Sequence, residues 1–268
     1  MKKLLIAGVA LTALIGTPAL AADMAAPVYK APPPVAPPCV WCGWYVGLNV
    51  GGAWNANSSA ATFGPSTAAT DVFFANNEFP TSLSTNPKGV IGGGQIGYNW
   101  QASSNFVLGL EADIQGSGYK GTAAATPVPT GGFVPFVTSV EQHSNWFGTV
   151  RGRAGFVASP NLLIYGTGGL AYGQTEVSFN TAPTGFACGP GFTCAAASSS
   201  TTRAGWTAGG GLEWMIAPHW SLKAEYLYVD LGTQSATSAT TTAGPAFGFT
   251  ASARFRENIA RGGVNWHF

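Results

Sequence analysis

In NFVLGLEADIQ, residues 105–115, apolar side chains alternate with glycine or polar and charged ones. On an extended strand this puts Leu108, Leu110, Ala112 and Ile114 on one face. Gly109, Glu111, Asp113 and Gln115 fall on the other. The same period of two recurs along the chain. In NWFGTVRGRAGF, Trp146, Val150, Ala154 and Phe156 oppose Thr149, Arg151 and Arg153. In WSLKAEYLYVD, Leu222, Ala224, Tyr226 and Tyr228 oppose Lys223 and Glu225. Leu212 and Trp214 flank Glu213, and Ile96, Tyr98 and Trp100 oppose Gln95 and Asn99. Val264, Trp266 and Phe268 oppose Arg261, Asn265 and His267. Only 9% of the 268 residues are charged, against about 25% in soluble domains. Too few charges remain to wet an ordinary surface. The pattern therefore predicts apolar faces turned to lipid and polar faces turned inward.

The inward set consists of Glu111, Asp113, Glu213 and Glu225 with Arg151, Arg153, Lys223 and Arg261, four acids against four bases. A barrel of eight strands has an interior just wide enough for side chains to fill. A neutral set can pair there and plug it, whereas unpaired charges would be costly. The alternative use of the same residues is a narrow ion path.

Eight strand-like segments follow the period, at about 43–54, 89–100, 105–115, 144–157, 161–177, 203–216, 219–231 and 254–268. Their connections alternate in length. Residues 55–88, 116–143, 178–202 and 232–253 are long and rich in small or polar residues, while 101–104, about 159–161, and 217–218 are tight. This is the pattern of an all-β, eight-stranded antiparallel up-and-down transmembrane β-barrel, with short periplasmic turns, four extracellular loops and both termini in the periplasm. Trp44, Tyr45, Trp54, Trp100, Trp146, Trp214, Trp220, Tyr226, Tyr228 and Trp266 lie near strand ends, where amphipathic rings prefer the headgroup level.

The N-terminus reads as a Sec-type signal peptide, residues 1–21. Lys2 and Lys3 precede the apolar LLIAGVALTALIG, and Ala19-Leu20-Ala21 supplies the cleavage pattern. The apolar run is shorter than the roughly 20 residues that a membrane helix needs. Residues 22–42 form a Pro-rich periplasmic segment, and 43–268 the barrel. An exported chain permits disulfides, for which Cys39 with Cys42, and Cys188 with Cys194, are the candidates.

Several motifs carry other chemistries. CVWC has redox spacing but precedes a strand rather than opening a helix. GVIGGGQIG, at 89–97, has dinucleotide-like glycines but no βαβ unit around it. Its glycines fit close packing by aromatic rings. The three histidines are not spaced as metal ligands. Glu141 and His143 lack a nucleophile or paired Asp to make a hydrolytic site, so no enzyme, metal or cofactor is expected. A net charge of +1 gives no footprint for nucleic acid.

CGWYVGLNVGGAW, GGGQIGYNW, FGTVRGRAGF, LLIYGTGGLAYG and LKAEYLYVDLG resemble the small porin-family, OmpA-like barrels of alphaproteobacteria, many of them surface antigens. The resemblance spans about 43–268. It implies a Gram-negative outer-membrane location among outer-membrane lipid and lipopolysaccharide. It also implies that Arg261, Gly263, Trp266 and Phe268 form the C-terminal signal read by the barrel assembly machinery. It supplies no catalytic residue. The function it leaves in first place is structural and surface-exposed, ahead of a porin-like channel and an adhesin or ligand-binding protein.

Overall fold

The computed structural model of the chain describes residues 39–56, 60–132, 134–185, 187, 194–239 and 248–268. The expected signal peptide and most of the Pro-rich segment lie outside these residues.

Ten strands form one antiparallel sheet: β1 (Gly43–Asn55), β2 (Ala60–Pro65), β3 (Ser82–Ser84), β4 (Lys88–Gln101), β5 (Phe106–Ala125), β6 (Phe136–Ser159), β7 (Leu162–Pro183), β8 (Ala195–Ala217), β9 (Trp220–Ala239) and β10 (Gly248–His267). Eight of them, β1 and β4 to β10, run up and down in chain order. β10 returns to pair with β1, from Tyr45↔His267 to Asn55↔Glu257, and the sheet closes. Closure removes the free edges, so the backbone groups in the wall can pair within the sheet, as a lipid environment demands.

The period of two decides which way each side chain points. Leu48, Leu110, Val150, Leu170 and Leu212 project from the outer wall, and Leu110 keeps 55% of its surface exposed. On a soluble protein this band would be an aggregation surface; in a bilayer it is the solvated face. Leu110→Arg is expected to destabilise the barrel by about 2–4 kcal/mol, the cost of a cation near the bilayer midplane. A denaturant titration in lipid vesicles measures it.

The wall is uneven. β1 and β4 have 13 and 14 residues, close to what a membrane strand needs, while β5 to β10 have 20 to 24. The strands expected to end near residue 115 and to start near 144 instead continue to Ala125 and from Phe136. Beyond the bilayer both faces of a sheet meet different surroundings, so the apolar-out pattern used to find strands no longer applies.

The connection after β1, expected to be a polar loop, fills the low side of the wall. β2 pairs with the upper half of β10, from Thr62↔Ser252 to Pro65↔Phe249, and β3 pairs with β2. A single 3-10 turn (Ala68–Thr70) and a five-residue helix α1 (Asp71–Ala75) follow β2. They carry Phe73 and Phe74 into a cluster with Phe79, Phe136 and Phe249. The Phe79 ring lies 4.7 Å from that of Phe136 and 4.5 Å from that of Phe249. The aromatic payload of this connection caps the extracellular mouth.

The opposite end is also closed. Cys39 and Cys42 are joined in a disulfide. Between them Trp41 is buried with Val107, Leu163 and Tyr165, edge-on to His267. Residues 39–42 belong to the compact unit Cys39–Phe268. Cys188 lies outside the described residues, and Cys194 carries no free thiol.

Candidate functional site in the barrel lumen

The structure brings all eight expected charges into one buried network. Arg151, on β6, is its centre. Its guanidinium bonds Glu111 and Asp113 on β5, the latter at 2.9 Å, and reaches across the lumen to Glu225 on β9 at 3.0 Å. Arg261, on β10, bridges Asp113 at 2.9 Å and Glu225 at 2.6 Å. Lys223 lies 2.7 Å from Glu111 and 3.4 Å from Glu225. Arg153 pairs with Glu213 at 2.6 Å. Each carboxylate thus has at least one cation within bonding distance. Charges that share strands two residues apart, such as Glu111 and Asp113, are separated by pairing with opposite charges on neighbouring strands: Glu111↔Arg151 and Glu213↔Lys223 are register partners.

Neutral groups complete the network. Tyr45 donates its hydroxyl to Glu111 at 2.6 Å and accepts from Arg153 at 2.9 Å. Tyr165 donates to Glu225 at 3.0 Å while the Arg153 guanidinium lies 4.1 Å over its ring. Thr149 donates to Asp113, and Ser221 and Asn265 to Glu213. Gln95 bridges Asn49 and Asn265. Removing ions from water is repaid only when such secondary bonds are made; most are made here, while Asp113 Oδ1, Arg151 Nε, Arg153 Nε and Arg261 Nη1 remain without a partner.

Tyr45 corrects an expectation. It was placed with the headgroup aromatics, but it is fully buried in the lumen. Trp44, its neighbour on the opposite face, is the ring that meets lipid. The alternation assigns Tyr45 inward once Trp44 points out. Tyr165 has no such marker: LLIYGTGGL carries no charge on either face. Among the glycines of 89–97, Gly97 makes room for a ring. A Cβ there would lie 2.3 Å from the Tyr45 ring, so any side chain would push Tyr45 off Glu111. At Gly93 the obstacle is the backbone of β5 rather than an aromatic.

Above the charges the lumen turns mostly apolar, with Ile91, Tyr119, Phe147, Leu227, Phe255 and Ile259 buried, although Gln115, Gln142 and Glu257 are buried there too. The interior is therefore stacked: Trp41 and Leu163 at the periplasmic end, the ionic layer, the apolar layer, then the phenylalanine cap. Glu141 and His143 lie higher on β6, and Lys120 bonds Glu141 at 2.8 Å. Among the described residues no group of His, Cys, Asp and Glu is arranged to hold a metal ion. At the chain end, Arg261 and His267 face the lumen while Trp266 and Phe268 face outward. The Phe268 amide donates to the Trp44 carbonyl at 3.0 Å, across the seam between the first and last strands.

The family and sequence comparisons agree with this architecture. Residues 7–268 match the family described as outer membrane protein beta-barrel domain. The chain is 38% identical over 235 residues to the 31 kDa outer-membrane immunogenic protein of Brucella melitensis biotype 1, covering 87% of this chain and 88% of that protein. It is 36% identical over 140 residues to the 22 kDa outer membrane protein of Rhizobium leguminosarum bv. viciae, 52% of each chain. Among solved structures, OprG from Pseudomonas aeruginosa aligns over 85% of this chain and 97% of its own, with a TM-score of 0.45 at 10% identity. The protein belongs to the outer membrane protein β-barrel domain family, and it is a barrel of the Gram-negative outer membrane.

Proposed function

We propose that this protein is a closed structural barrel of the cell surface, which stiffens the envelope and presents the tall extracellular wall and its loops. The observation that carries this reading is the mutual pairing of eight lumenal charges in one layer, with mostly apolar layers on both sides of it. A conducting path needs charges free to exchange partners with water and ions. Here Arg151 alone is held by three carboxylates. The names of the Brucella relatives, which describe immunogenic outer-membrane proteins, support exposure at the surface.

The test is single-channel recording in a planar bilayer, on protein shown to be folded by its heat-dependent gel mobility. The expected record is silent. Discrete steps that change with Arg151 or Arg153 substitution would replace this reading by a channel.

A further inference from the structure

The periplasmic plug is fastened differently from the rest of the barrel. Gly43 has a φ of +102°, a conformation that suits glycine, and the chain turns there to bring Trp41 under the lumen. Among the described residues no backbone hydrogen bond joins residues 39–42 to the barrel. Two things hold them. The Trp41 ring, 1% exposed, packs on Val107, Leu163 and Tyr165. The Cys39–Cys42 disulfide closes the turn on either side of that ring. A bond between cysteines three apart closes a very short loop, the case in which a disulfide constrains the unfolded chain least. Its effect is therefore local. It limits the conformations open to Trp41 rather than stabilising the barrel as a whole.

The seat of Trp41 is poorly matched to it. The indole Nε1 is buried without an acceptor. His267, edge-on to Trp41 at 6.1 Å, keeps Nδ1 without a partner. Asn99, the register partner of Gly43, is fully buried with neither side-chain polar atom bonded. Four polar atoms thus stand dry at this end of the lumen, and buried polar groups without partners cost free energy. Apolar contact favours the seated ring. Hydration of those four atoms favours its departure. A restraint such as the disulfide decides a balance of that kind.

The disulfide is also reachable. Cys39 is exposed and Cys42 is half-buried. Both border a cleft of about 240 Å³ whose other walls include Met215, Pro218, His219 and the terminal Phe268.

We propose that the Cys39–Cys42 disulfide is a thiol–disulfide exchange site for a dithiol protein of the periplasm, and that its reduction releases Trp41 from the lumen. A thiolate of the reductant attacks the exposed Cys39 sulfur. The Cys39–Cys42 bond breaks, its electron pair leaves on Cys42, and Cys42 takes up a proton. The reductant's second thiol gives up its proton and attacks the mixed disulfide, and Cys39 leaves as a thiolate that takes up that proton. Two electrons pass to the barrel, and the reductant becomes a disulfide. The ionic layer keeps its own bonds throughout. Release therefore hydrates the lower lumen without opening a through path, so the inference goes beyond the structural role above and leaves it standing.

The test uses the refolded barrel in maltoside micelles, treated with dithiothreitol or with a reduced thioredoxin-type protein. Alkylation and peptide mass mapping follow Cys39 and Cys42. Trp41 is followed as the emission difference between the parent and Trp41→Phe, in both redox states. Both reductants are expected to convert Cys39 and Cys42 to thiols while the heat-dependent gel mobility is kept. On reduction the Trp41 emission should shift to the red and become quenchable by acrylamide, and reoxidation should reverse both changes. Cys39→Ser/Cys42→Ser should show the released emission without any reductant; where that variant does not fold, the reduced parent supplies the same reading. Cysteines 39 and 42 that stay oxidised in the folded barrel would overturn the exchange site. Reduction by dithiothreitol alone would overturn the protein reductant. An unchanged Trp41 emission after reduction would overturn the release. Loss of the compact gel form on reduction would make the disulfide a global staple and overturn its local role.

Discussion

Replacing Arg151 with methionine is expected to lower the stability of the folded barrel by about 3–5 kcal/mol, the scale observed when one partner of a buried ion pair is removed. Methionine keeps most of the volume, so the loss is electrostatic rather than a cavity. Glu111, Asp113 and Glu225 would all lose a cation at once, leaving Lys223 and Arg261 to serve three carboxylates. The measurement is the denaturant midpoint in vesicles or micelles, together with the temperature at which the compact gel form is lost. The arrangement also predicts non-additivity. Arg153→Met alone strands Glu213, whereas Arg153→Met combined with Glu213→Gln leaves a neutral amide that Ser221 and Asn265 can still reach. The double variant should therefore be more stable than the Arg153→Met single variant. A double variant that is the less stable of the two would show that the network is held by packing rather than by charge pairing.

Deleting Phe268 is expected to cut the amount of folded barrel in cells by more than tenfold while changing the stability of barrel refolded in vitro by only about 1 kcal/mol, the worth of one hydrogen bond. The reasoning separates two roles of the same residue. In the folded state Phe268 contributes one seam bond to Trp44 and an exposed ring, 71% accessible, on the lipid side. Neither is worth much. If the terminal aromatic is instead read by the assembly machinery, as we infer, its effect appears during insertion, when the strand still has a free edge. Quantifying the compact form in outer-membrane fractions, alongside an in vitro unfolding curve, distinguishes the two. Equal losses in both assays would make Phe268 a stability residue and remove the assembly role.

The faces of the membrane strands were legible because lipid outside and ionic pairing inside impose opposite demands on successive residues. That difference put the eight charges of the ionic layer on the inward face from their spacing alone; it did not single out Glu257, which is buried in the lumen too. What it could not supply is partnership. Arg261 meets Asp113 only because β10 curves past β1 and β4 to face β5, which is a property of closure and not of any local segment. The strand extensions were hidden for a different reason. In FVTSVEQHS, Phe136, Thr138, Val140 and Gln142 point inward while Val137, Ser139 and Glu141 face outward. Above the bilayer the outer face is wet and the inner face mixes apolar with polar side chains, so the membrane signature fades and reads as loop. The phenylalanine cap was missed because Phe73, Phe74 and Phe79 sit in a connection whose composition is otherwise polar.

The uneven height of the wall has a consequence for anything that recognises the protein from outside. β6, at 24 residues, runs about 80 Å along its own axis; at a tilt near 45° it rises about 55 Å, against about 30 Å of hydrocarbon. Much of what faces the medium is thus rigid sheet rather than mobile loop. On it, Thr122, Glu141, Ser178 and Ser198 stand on four consecutive strands. An antibody or receptor that binds there reads a mosaic assembled from distant parts of the chain. A synthetic peptide covering any single strand would carry one tile of it, and unfolding would erase the whole.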